Sequence, residues 1–480
     1  MNIKMVFSIL GRTLLIEAVL LLCPLLVGIV YGENSFADYL IPIAGLLVIG
    51  LPLSFLKIKD RSIYVKEGFV TVAFVWILLS LVGAIPFVLS GALPNYADAL
   101  FETVSGFTTT GATVIADVEV LSHSLLFWRS FTHWIGGMGV LVFVLAILPS
   151  YNSGIMHIFR AESPGPSAGK LVSRLTLTAR ILYGIYMLMT VAETIFLLCG
   201  GLSFFDSLTH AFSTAGTGGF SVRNDSIGAY NSVYIEMVVA VFMFLFGINF
   251  NLFYLILIGN FKKAIKSEEF IVYFFLVVGA TLAIAINILS LVANFGEAVR
   301  YAFFQVTSFS SSTGFSSADF GGWPALSKAI LIVLMIIGAC GGSTGGGMKV
   351  SRVIILIKSA YADIRRLLHP RSVVSTKFEG ETLSKDTERN VHTYFILWVS
   401  IVVVCTVLLC IDHNDFLTNF TTTLSCIGNI GPVFSSVGAV GNLAFYSPYS
   451  KVLLSLVMLV GRLEIFPILI MFAPRTWKRG

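Results

Sequence analysis

The chain has 480 residues, of which 56% are hydrophobic and only 12% are charged, and this composition excludes an assembly of soluble domains. Apolar runs long enough to cross a bilayer recur from end to end, so we expect an integral membrane protein with about ten spanning helices. The net charge of +5 comes from basic residues concentrated in particular loops, and it does not indicate binding to nucleic acid.

The apolar runs divide the chain into five parts. Residues 1–66 are predicted to form an N-terminal pair of transmembrane helices. Four modules follow, each with a helix, a short intervening segment and a second helix, and they occupy 67–150, 151–262, 263–375 and 376–480. The predicted outer helices of these modules span 68–89 and 125–148, 175–199 and 233–258, 270–293 and 325–360, and 393–410 and 452–472. The expected fold class is therefore an all-α polytopic membrane protein with four tandem modules in a pseudo-fourfold arrangement.

Each module contains an intervening segment that is too short to cross the membrane. It begins with amphipathic helix and ends in Ser, Thr and Gly, which have low helix preference and tolerate extended or left-handed backbone. Aligned without gaps, the four segments end at Gly111, Gly218, Gly314 and Gly431. Irregular backbone at membrane depth is tolerated only where it lines a water-filled cavity. We therefore expect four re-entrant pore helices, each followed by a return loop, around one pore.

Basic residues set the expected orientation, because Lys and Arg in short loops stay on the cytoplasmic side. The remaining connections are mostly acidic and are expected outside, where an acidic mouth would favour the approach of cations. Both termini are then cytoplasmic. The basic segments are 57–61, 160–180, 262–266, 349–389 and 475–479.

The four glycine-containing turns have the chemistry of a carbonyl filter. Stacked backbone carbonyls can replace the hydration shell of a potassium ion without fixed negative charge. Threonine precedes three of the glycines, whereas Ile430 precedes the fourth and can offer only its carbonyl. No Asp or Glu occupies these positions, which argues against a calcium-type filter. One Thr-Gly pair alone would more often serve close helix packing, but fourfold recurrence favours the filter.

These four segments, together with the motifs at 133–139, 341–349 and 461–466, resemble the Trk/Ktr/HKT superfamily of potassium transporters. The resemblance covers nearly the whole chain, including the N-terminal helix pair that separates TrkH-like members from shorter KtrB-like ones. It implies one filter glycine per repeat, at the four positions above. In the second repeat Gly216, Gly218 and Gly219 crowd together, and only the alignment selects Gly218. The remaining potassium-binding oxygens are then expected from Thr109, Thr110, Thr217, Ser312, Thr313, Asn429 and Ile430.

A glycine-rich stretch interrupts the predicted second helix of the third module. Glycine occupies six of the ten positions in 338–347. Each internal glycine costs a helix about 1 kcal/mol relative to alanine, so the helix should break here, and broken helices mark permeation pathways. In the resembled superfamily this stretch is an intramembrane loop that obstructs the pore below the filter, and we expect a gate here. Its residues are Gly338, Cys340, Gly341, Gly342, Ser343, Thr344, Gly345, Gly346 and Gly347.

Arg462 lies near the middle of the last apolar helix. An unpaired charge there costs at least about 3 kcal/mol, so the side chain should face protein or water. A structural ion pair is an alternative, although Glu464 is only two residues away and lies on a different helix face. The resemblance implies that this arginine projects into the pore below the filter. We expect it to act there as an electrostatic barrier to ions.

The resemblance also implies the biological setting. It indicates potassium uptake across a bacterial cytoplasmic (inner) membrane by a homodimer under the control of a cytosolic nucleotide-binding subunit of the TrkA type. The chain itself contains no phosphate loop or dinucleotide fingerprint, so nucleotide control would come from another polypeptide. We expect no bound cofactor, no nucleic acid, and potassium at the filter as the only metal ion. The six cysteines lack metal-ligand spacing and are expected to be buried and free.

Two other functions stay open from the residues alone. A proton- or sodium-coupled potassium symporter would need a titratable group in the path, and Glu102 on the first pore helix is the nearest carboxylate. An intramembrane enzyme would need a catalytic triad or a metal cluster on facing helices. The seven histidines form no HExxH motif, so the enzyme hypothesis ranks far below the transporters.

Overall fold

The computed structural model describes residues 2–56, 65–139, 175–370, 374–434 and 441–477, and most of them are helical. The N-terminal pair comprises α1 (Ile3–Leu20), which continues into α2 (Leu22–Val30), and α3 (Phe36–Ser54). α1 and α3 approach closely at two glycines. A Cβ on Gly11 would overlap the backbone of Ser54, and one on Gly50 would lie in tight contact with the Gly11 carbonyl. Small residues permit this close approach inside a membrane.

The four modules repeat one plan, with a short central helix of 12 to 16 residues between two flanking helical segments. Module 1 contains α4 (Val65–Gly83), α5 (Ile85–Leu89), α6 (Tyr96–Phe107) and α7 (His123–Gly137). Module 2 contains α8 (Leu175–Cys199), α9 (Phe204–Ala215), α10 (Val233–Phe246), α11 (Phe250–Leu257) and α12 (Phe261–Ile265). Module 3 contains α13 (Glu268–Ile288), α14 (Phe295–Ser310), α15 (Ala325–Ile337) and α16 (Val350–Leu368). Module 4 contains α17 (Lys385–Leu409), α18 (Phe416–Gly428), α19 (Pro448–Arg462), α20 (Phe466–Phe472) and α21 (Pro474–Trp477).

The expected fold class is confirmed. Among the described residues, six helical stretches are long and apolar enough to cross a membrane, and two bent helix pairs raise the count to eight. The predicted helix 125–148 corresponds to α7 as far as Gly137, and residues 140–148 lie outside the described residues. Short 3₁₀ turns in the described ranges are Ser226–Tyr230, Leu289–Leu291, Phe320–Gly322 and Cys410–Asp412.

The second helices of modules 2, 3 and 4 are broken, and of these breaks only the one in module 3 was expected. α10 and α11 meet at 92°, and α19 and α20 meet at 119°. In module 2, Asn249 Oδ1 caps the new helix by accepting from the Asn251 amide (3.0 Å). In module 4, Glu464 and Ile465 have left-handed φ values of 55° and 68°. The expected break in module 3 extends from α15 to α16, and α16 starts anew after Lys349, whose φ is also positive (75°).

Each of the four short helices α6, α9, α14 and α18 begins at a side-chain cap. The caps are Asn95, Ser203, Asn294 and Asp415. Such caps satisfy amides that the first helical turn leaves without partners. The C-terminal ends, which carry the negative end of the helix dipole, lead into the turns described next.

The described part of the chain between α16 and α17 contains a small antiparallel hairpin. Its strands are β1 (Lys377–Phe378) and β2 (Glu381–Thr382), with Lys377 paired to Thr382. The turn residue Glu379 has a φ of 51°. Phe378 is buried, so the hairpin is anchored to the helical body.

Candidate ion pathway

The four short helices end in one shared backbone pattern. A residue with left-handed φ follows each helix, and these are Thr109 (55°), Thr217 (54°), Ser312 (61°) and Asn429 (52°). The amide of the next residue donates to the carbonyl of a serine five positions earlier, at 2.8 to 3.0 Å. The four serines are Ser105, Ser213, Ser308 and Ser425. This is the hydrogen-bonding of a helix C-terminus closed by a left-handed residue, repeated in all four modules.

A glycine with positive φ follows in every module, and the four glycines close a ring. Their φ values are 77° at Gly111, 78° at Gly219, 86° at Gly314 and 96° at Gly431. A Cβ on each would overlap a carbonyl oxygen of the next module. The pairs are Gly111 with Gly218 O, Gly219 with Thr313 O, Gly314 with Ile430 O, and Gly431 with Thr110 O. Because the fourth pair returns to module 1, the contacts run once around a common axis.

The second module corrects one sequence expectation. Gly219, not Gly218, has the positive φ and the ring position of Gly111, so the ungapped alignment was wrong by one residue there. Gly218 corresponds instead to Thr110, and Thr217 corresponds to Thr109. The sequence held a signal that would have fixed the register, because a serine lies six residues before every ring glycine. Ser213 selects Gly219.

The residue preceding the ring glycine differs between modules, because the side chains that pack against this position differ. In modules 1 and 3 it is a threonine, and its hydroxyl lies 2.8 Å (Thr110 to Thr108) or 2.7 Å (Thr313 to Ser311) from a neighbouring hydroxyl. In module 2 the imidazole of His133 occupies that volume, and a Cβ on Gly218 would overlap the ring. His133 Nδ1 donates to the Gly106 carbonyl at 2.7 Å, which fixes the ring in place. Sequence reasoning quoted His133 in a motif but gave it no role.

Modules 4 and 1 are joined by side chains as well. Asn429 Nδ2 donates to Thr110 Oγ1 at 2.9 Å and to the Met458 carbonyl at 3.1 Å. Ile430, which lacks a polar side chain, packs against Gly428. The apolar residue is accommodated because its neighbour has no side chain, and the carbonyl of Ile430 still takes the ring position opposite Gly314.

A cavity of about 230 Å³ opens onto the ring, and all four ring glycines line it. It is called the outer cavity after the orientation expected from the sequence. Beside it, the buried Glu102 forms an ion pair with Arg129 (Oε1 to Nε, 2.8 Å). Glu102 also accepts from Thr113 Oγ1 and the Val114 amide, both at 3.0 Å. Arg129 donates onward to the Ser221 carbonyl at 3.2 Å. The Glu102–Arg129 pair therefore clamps module 1 to module 2, with Arg129 making the bond to module 2.

Two further polar groups support the outer end of module 2. His210 Nε2 lies 3.0 Å from Ser221 Oγ, and its Nδ1 lies 2.7 Å from the Asp206 carbonyl. Tyr230 donates to Asp206 Oδ2 at 2.9 Å. Burial, followed by the charge of Asp206, raises the pKa of Tyr230, so this hydroxyl keeps its proton and remains a donor.

The glycine-rich loop (338–347) lies on the opposite side of the ring from the outer cavity. The Gly346 amide donates to Ser312 Oγ at 2.5 Å, and a Cβ on Gly346 would overlap the Gly428 carbonyl. A Cβ on Gly345 would meet the Ser311 carbonyl in the same way. The loop thus contacts the ends of the short helices of modules 3 and 4, and only glycine leaves room for this contact.

The break in module 2 holds the same loop from the side. The Cys340 amide donates to the Gly247 carbonyl, and the Phe250 amide donates to the Gly342 carbonyl, both at 3.0 Å. Lys349 Nζ donates to the Gly345 carbonyl at 2.5 Å. The unexpected bend at α10 and α11 therefore provides hydrogen-bonding partners for a loop that has few of its own.

Arg462 bridges the loop to module 1. Its guanidinium donates to the Thr344 carbonyl at 2.9 Å and to the Gly137 carbonyl at 2.6 Å, and it also bonds to the Gly136 carbonyl. It lines an inner cavity of about 80 Å³ together with the glycine-rich loop. Glu464 does not pair with Arg462; it binds Arg352 at 2.5 Å.

The helices, the closed ring and the two cavities on either side of it define a multi-span membrane transport protein built from four repeats in one chain. The family model for TrkH, described as a cation transport protein, matches residues 41–479. The chain belongs to the TrkH family.

Several known proteins are similar to this chain over their whole length. The Trk system potassium uptake protein TrkH of Escherichia coli K12 is 33% identical over 487 residues, covering 100% of both chains. The Trk system potassium uptake protein TrkG of the same strain is 32% identical and covers 99% of both. The crystal structure of the potassium transporter TrkH from Vibrio parahaemolyticus matches with a TM-score of 0.90 and 31% identity over 100% of both chains.

Proposed function

We propose that this chain takes up potassium across a bacterial cytoplasmic membrane through the ring of backbone carbonyls. The observation that carries the proposal is the cyclic contact set, in which each ring glycine abuts a carbonyl oxygen of the next module. Four carbonyls at one level can replace part of the hydration shell of a potassium ion. The C-terminal ends of four helices converge on the same place and add negative potential. The similarity to proteins named potassium uptake proteins supports the choice of ion.

The filter residues follow from the corrected register. The ring carbonyls belong to Thr110, Gly218, Thr313 and Ile430. The left-handed residues Thr109, Thr217, Ser312 and Asn429 form the next level toward the helix ends, and the ring glycines face the outer cavity. Because all these oxygens are neutral, a divalent cation would be stabilised poorly.

We further propose that the glycine-rich loop is the gate and that Arg462 holds it. Loop contacts with modules 2, 3 and 4 and the Arg462 bridge to module 1 support this proposal, because they tie the loop to all four modules below the ring. The guanidinium adds a positive charge where a cation would pass, which raises the barrier. Movement of the loop away from the short-helix ends would open the path.

The remaining proposals concern assembly and control. The basic segments of the sequence support a cytoplasmic position for both termini. Relatives named as parts of a Trk system support a homodimer and a cytosolic nucleotide-binding subunit of the TrkA type. Coupled symport is less favoured, because the Glu102 carboxylate is buried and bonded to Arg129 and the Val114 amide.

Ion flux into liposomes tests the filter. Purified wild-type protein and Gly314→Ser are compared for potassium, rubidium, sodium and lithium uptake under an imposed voltage. We expect a preference for potassium and rubidium in the wild type and its loss in the variant. Gly279→Ser on α13 is the matched control, since a Cβ there meets nothing within 4 Å. Uptake that requires a proton gradient would indicate the symporter, and an unchanged preference in Gly314→Ser would refute the carbonyl ring.

A further inference from the structure

Glu269 connects the hairpin of β1 and β2 to the glycine-rich loop. Glu269 is the second residue of α13 and is 5% exposed. Its carboxylate oxygen Oε1 accepts from the Gly341 amide at 2.7 Å and from the Ser351 amide at 3.0 Å. It therefore binds the loop at Gly341 and the first turn of α16, which leaves the loop.

The backbone of the same residue is held by the hairpin. Glu379, at the hairpin turn, accepts from Ser267 Oγ at 2.8 Å and from the Glu269 amide at 3.1 Å. A carboxylate at a helix N-terminus satisfies free amides and is favoured by the helix dipole. Glu379 thus fixes the first turn of α13, and with it the position of the Glu269 side chain.

A second set of contacts keeps the hairpin turn in place. The Glu379 amide donates to Glu268 Oε2 at 3.4 Å, and Glu268 forms an ion pair with Lys358 of α16. Lys358 Nζ donates to the Lys377 carbonyl at 3.0 Å. The hairpin, the start of α13 and α16 are therefore one hydrogen-bonded unit, and Glu269 is its contact with the loop.

We propose that the hairpin is a latch for the glycine-rich loop, with Glu379 and Glu269 as its positioning residues. This rests on the proposed gate for its effect on flux, but the linkage itself concerns only the mobility of the loop. Lifting the hairpin removes Glu379 from the first turn of α13. The Glu269 carboxylate then loses its fixed position, and the Gly341 amide loses a charged acceptor.

Cys340 is a native reporter of loop mobility, because it is buried within the loop next to Gly341. The test uses the full-length protein in liposomes, with the other cysteines replaced by serine, and a small charged methanethiosulfonate reagent. Those replaced are Cys23, Cys199, Cys405, Cys410 and Cys426. The rate of Cys340 modification and the rubidium flux are measured for the same preparations.

Glu379→Ala should raise the Cys340 modification rate about tenfold, the size expected for losing charge-assisted hydrogen bonds. Glu379→Gln keeps an acceptor oxygen and should restore most of the wild-type rate. Glu381→Ala is the control, since Glu381 is an exposed carboxylate on the same hairpin. The charge of Glu379 acts on the Cys340 thiol. Glu379→Gln removes the same charge but keeps an acceptor, so a fast rate in Glu379→Ala together with a slow rate in Glu379→Gln assigns the change to the lost hydrogen bonds.

The two readouts separate the latch from the gate. Faster modification with higher flux supports both. Faster modification with unchanged flux supports the latch and overturns the gate proposed for this loop. A modification rate in Glu379→Ala equal to that of Glu381→Ala overturns the latch, whatever the flux.

Discussion

Asn429 and Thr110 are 319 positions apart in the chain, yet the Asn429 amide nitrogen donates to the Thr110 hydroxyl at 2.9 Å. This bond joins the last module to the first at the level of the ring. The same amide also bonds to the Met458 carbonyl at 3.1 Å, so one side chain connects the ring to α19. Ring closure therefore depends on a side chain as well as on the glycine contacts.

Replacing Asn429 by alanine should lower both stability and selectivity. The variant leaves the Met458 carbonyl without this donor, and a lost partner in a buried site costs about 1–3 kcal/mol. We expect a lower midpoint of thermal unfolding in detergent and a weaker preference for potassium over sodium. Asn442→Ala is the control, because Asn442 Oδ1 accepts within its own loop, from Ala444. Equal unfolding midpoints for the two variants would contradict this role.

The two neighbouring glycines of module 2 should respond differently to alanine. At Gly219 the overlap is with the Thr313 carbonyl, whereas at Gly218 it is with the His133 ring. A second substitution, His133→Ala, should therefore recover much of the flux lost in Gly218→Ala and none of that lost in Gly219→Ala. Rubidium flux of the single and double variants measures this coupling. Gly184→Ala, where a Cβ meets nothing within 4 Å, controls for insertion and folding. Rescue of both glycine variants would contradict the assigned register.

Arg462 should be replaceable by neither alanine nor lysine. The guanidinium spans the Thr344 and Gly137 carbonyls with two nitrogens, which a lysine ammonium cannot do in the same geometry. We expect both variants to raise basal rubidium flux several-fold, because the glycine-rich loop loses its bridge to module 1. Arg389→Lys, at an exposed ion pair, is the control. If lysine preserved the low wild-type flux, the positive charge alone would be responsible and the bridge would be unimportant.

Glu102→Gln should destabilise the protein far more than loss of an exposed carboxylate does. Breaking one side of a buried ion pair costs about 3–5 kcal/mol, whereas an exposed pair contributes about 0–1 kcal/mol. The matched comparison is Glu119→Gln, whose ion pair with Arg223 is 3.4 Å long and exposed. Thermal unfolding in detergent reports the difference. A Glu102→Gln protein of normal stability that had lost only proton-driven uptake would instead support the symporter.

The sequence predicted the parts of this site that depend on composition. Apolar length predicted the paired helices, and the recurring Ser, Thr and Gly predicted the turns, because helix preference and backbone freedom are local properties. The density of glycine predicted the break at 338–347. Each of these features can be judged from a short window of residues.

The features that sequence reasoning missed depend on contacts between modules. The bend at Gly247 and Asn249 contains a single glycine, and its reason is the glycine-rich loop packed against it. The ring position of Gly219 depends on its positive φ and on the Thr313 carbonyl of the next module, while its neighbour Gly218 makes room for His133. Sequence reasoning set aside Glu464 as a partner of Arg462 but named no other, whereas in the structure backbone carbonyls from two other modules accept from the guanidinium.

Because the ring is built from one polypeptide, each of its four quarters can change independently during evolution. In a channel made of four identical subunits, every substitution is present four times. A substitution that the filter would tolerate in one quarter can then disrupt it when all four quarters carry it. Here Ile430 and Gly218 occupy ring positions that hold threonine in the other two modules. Each quarter can be altered alone, so ion preference and throughput can be adjusted in small steps while three quarters of the ring stay as they were.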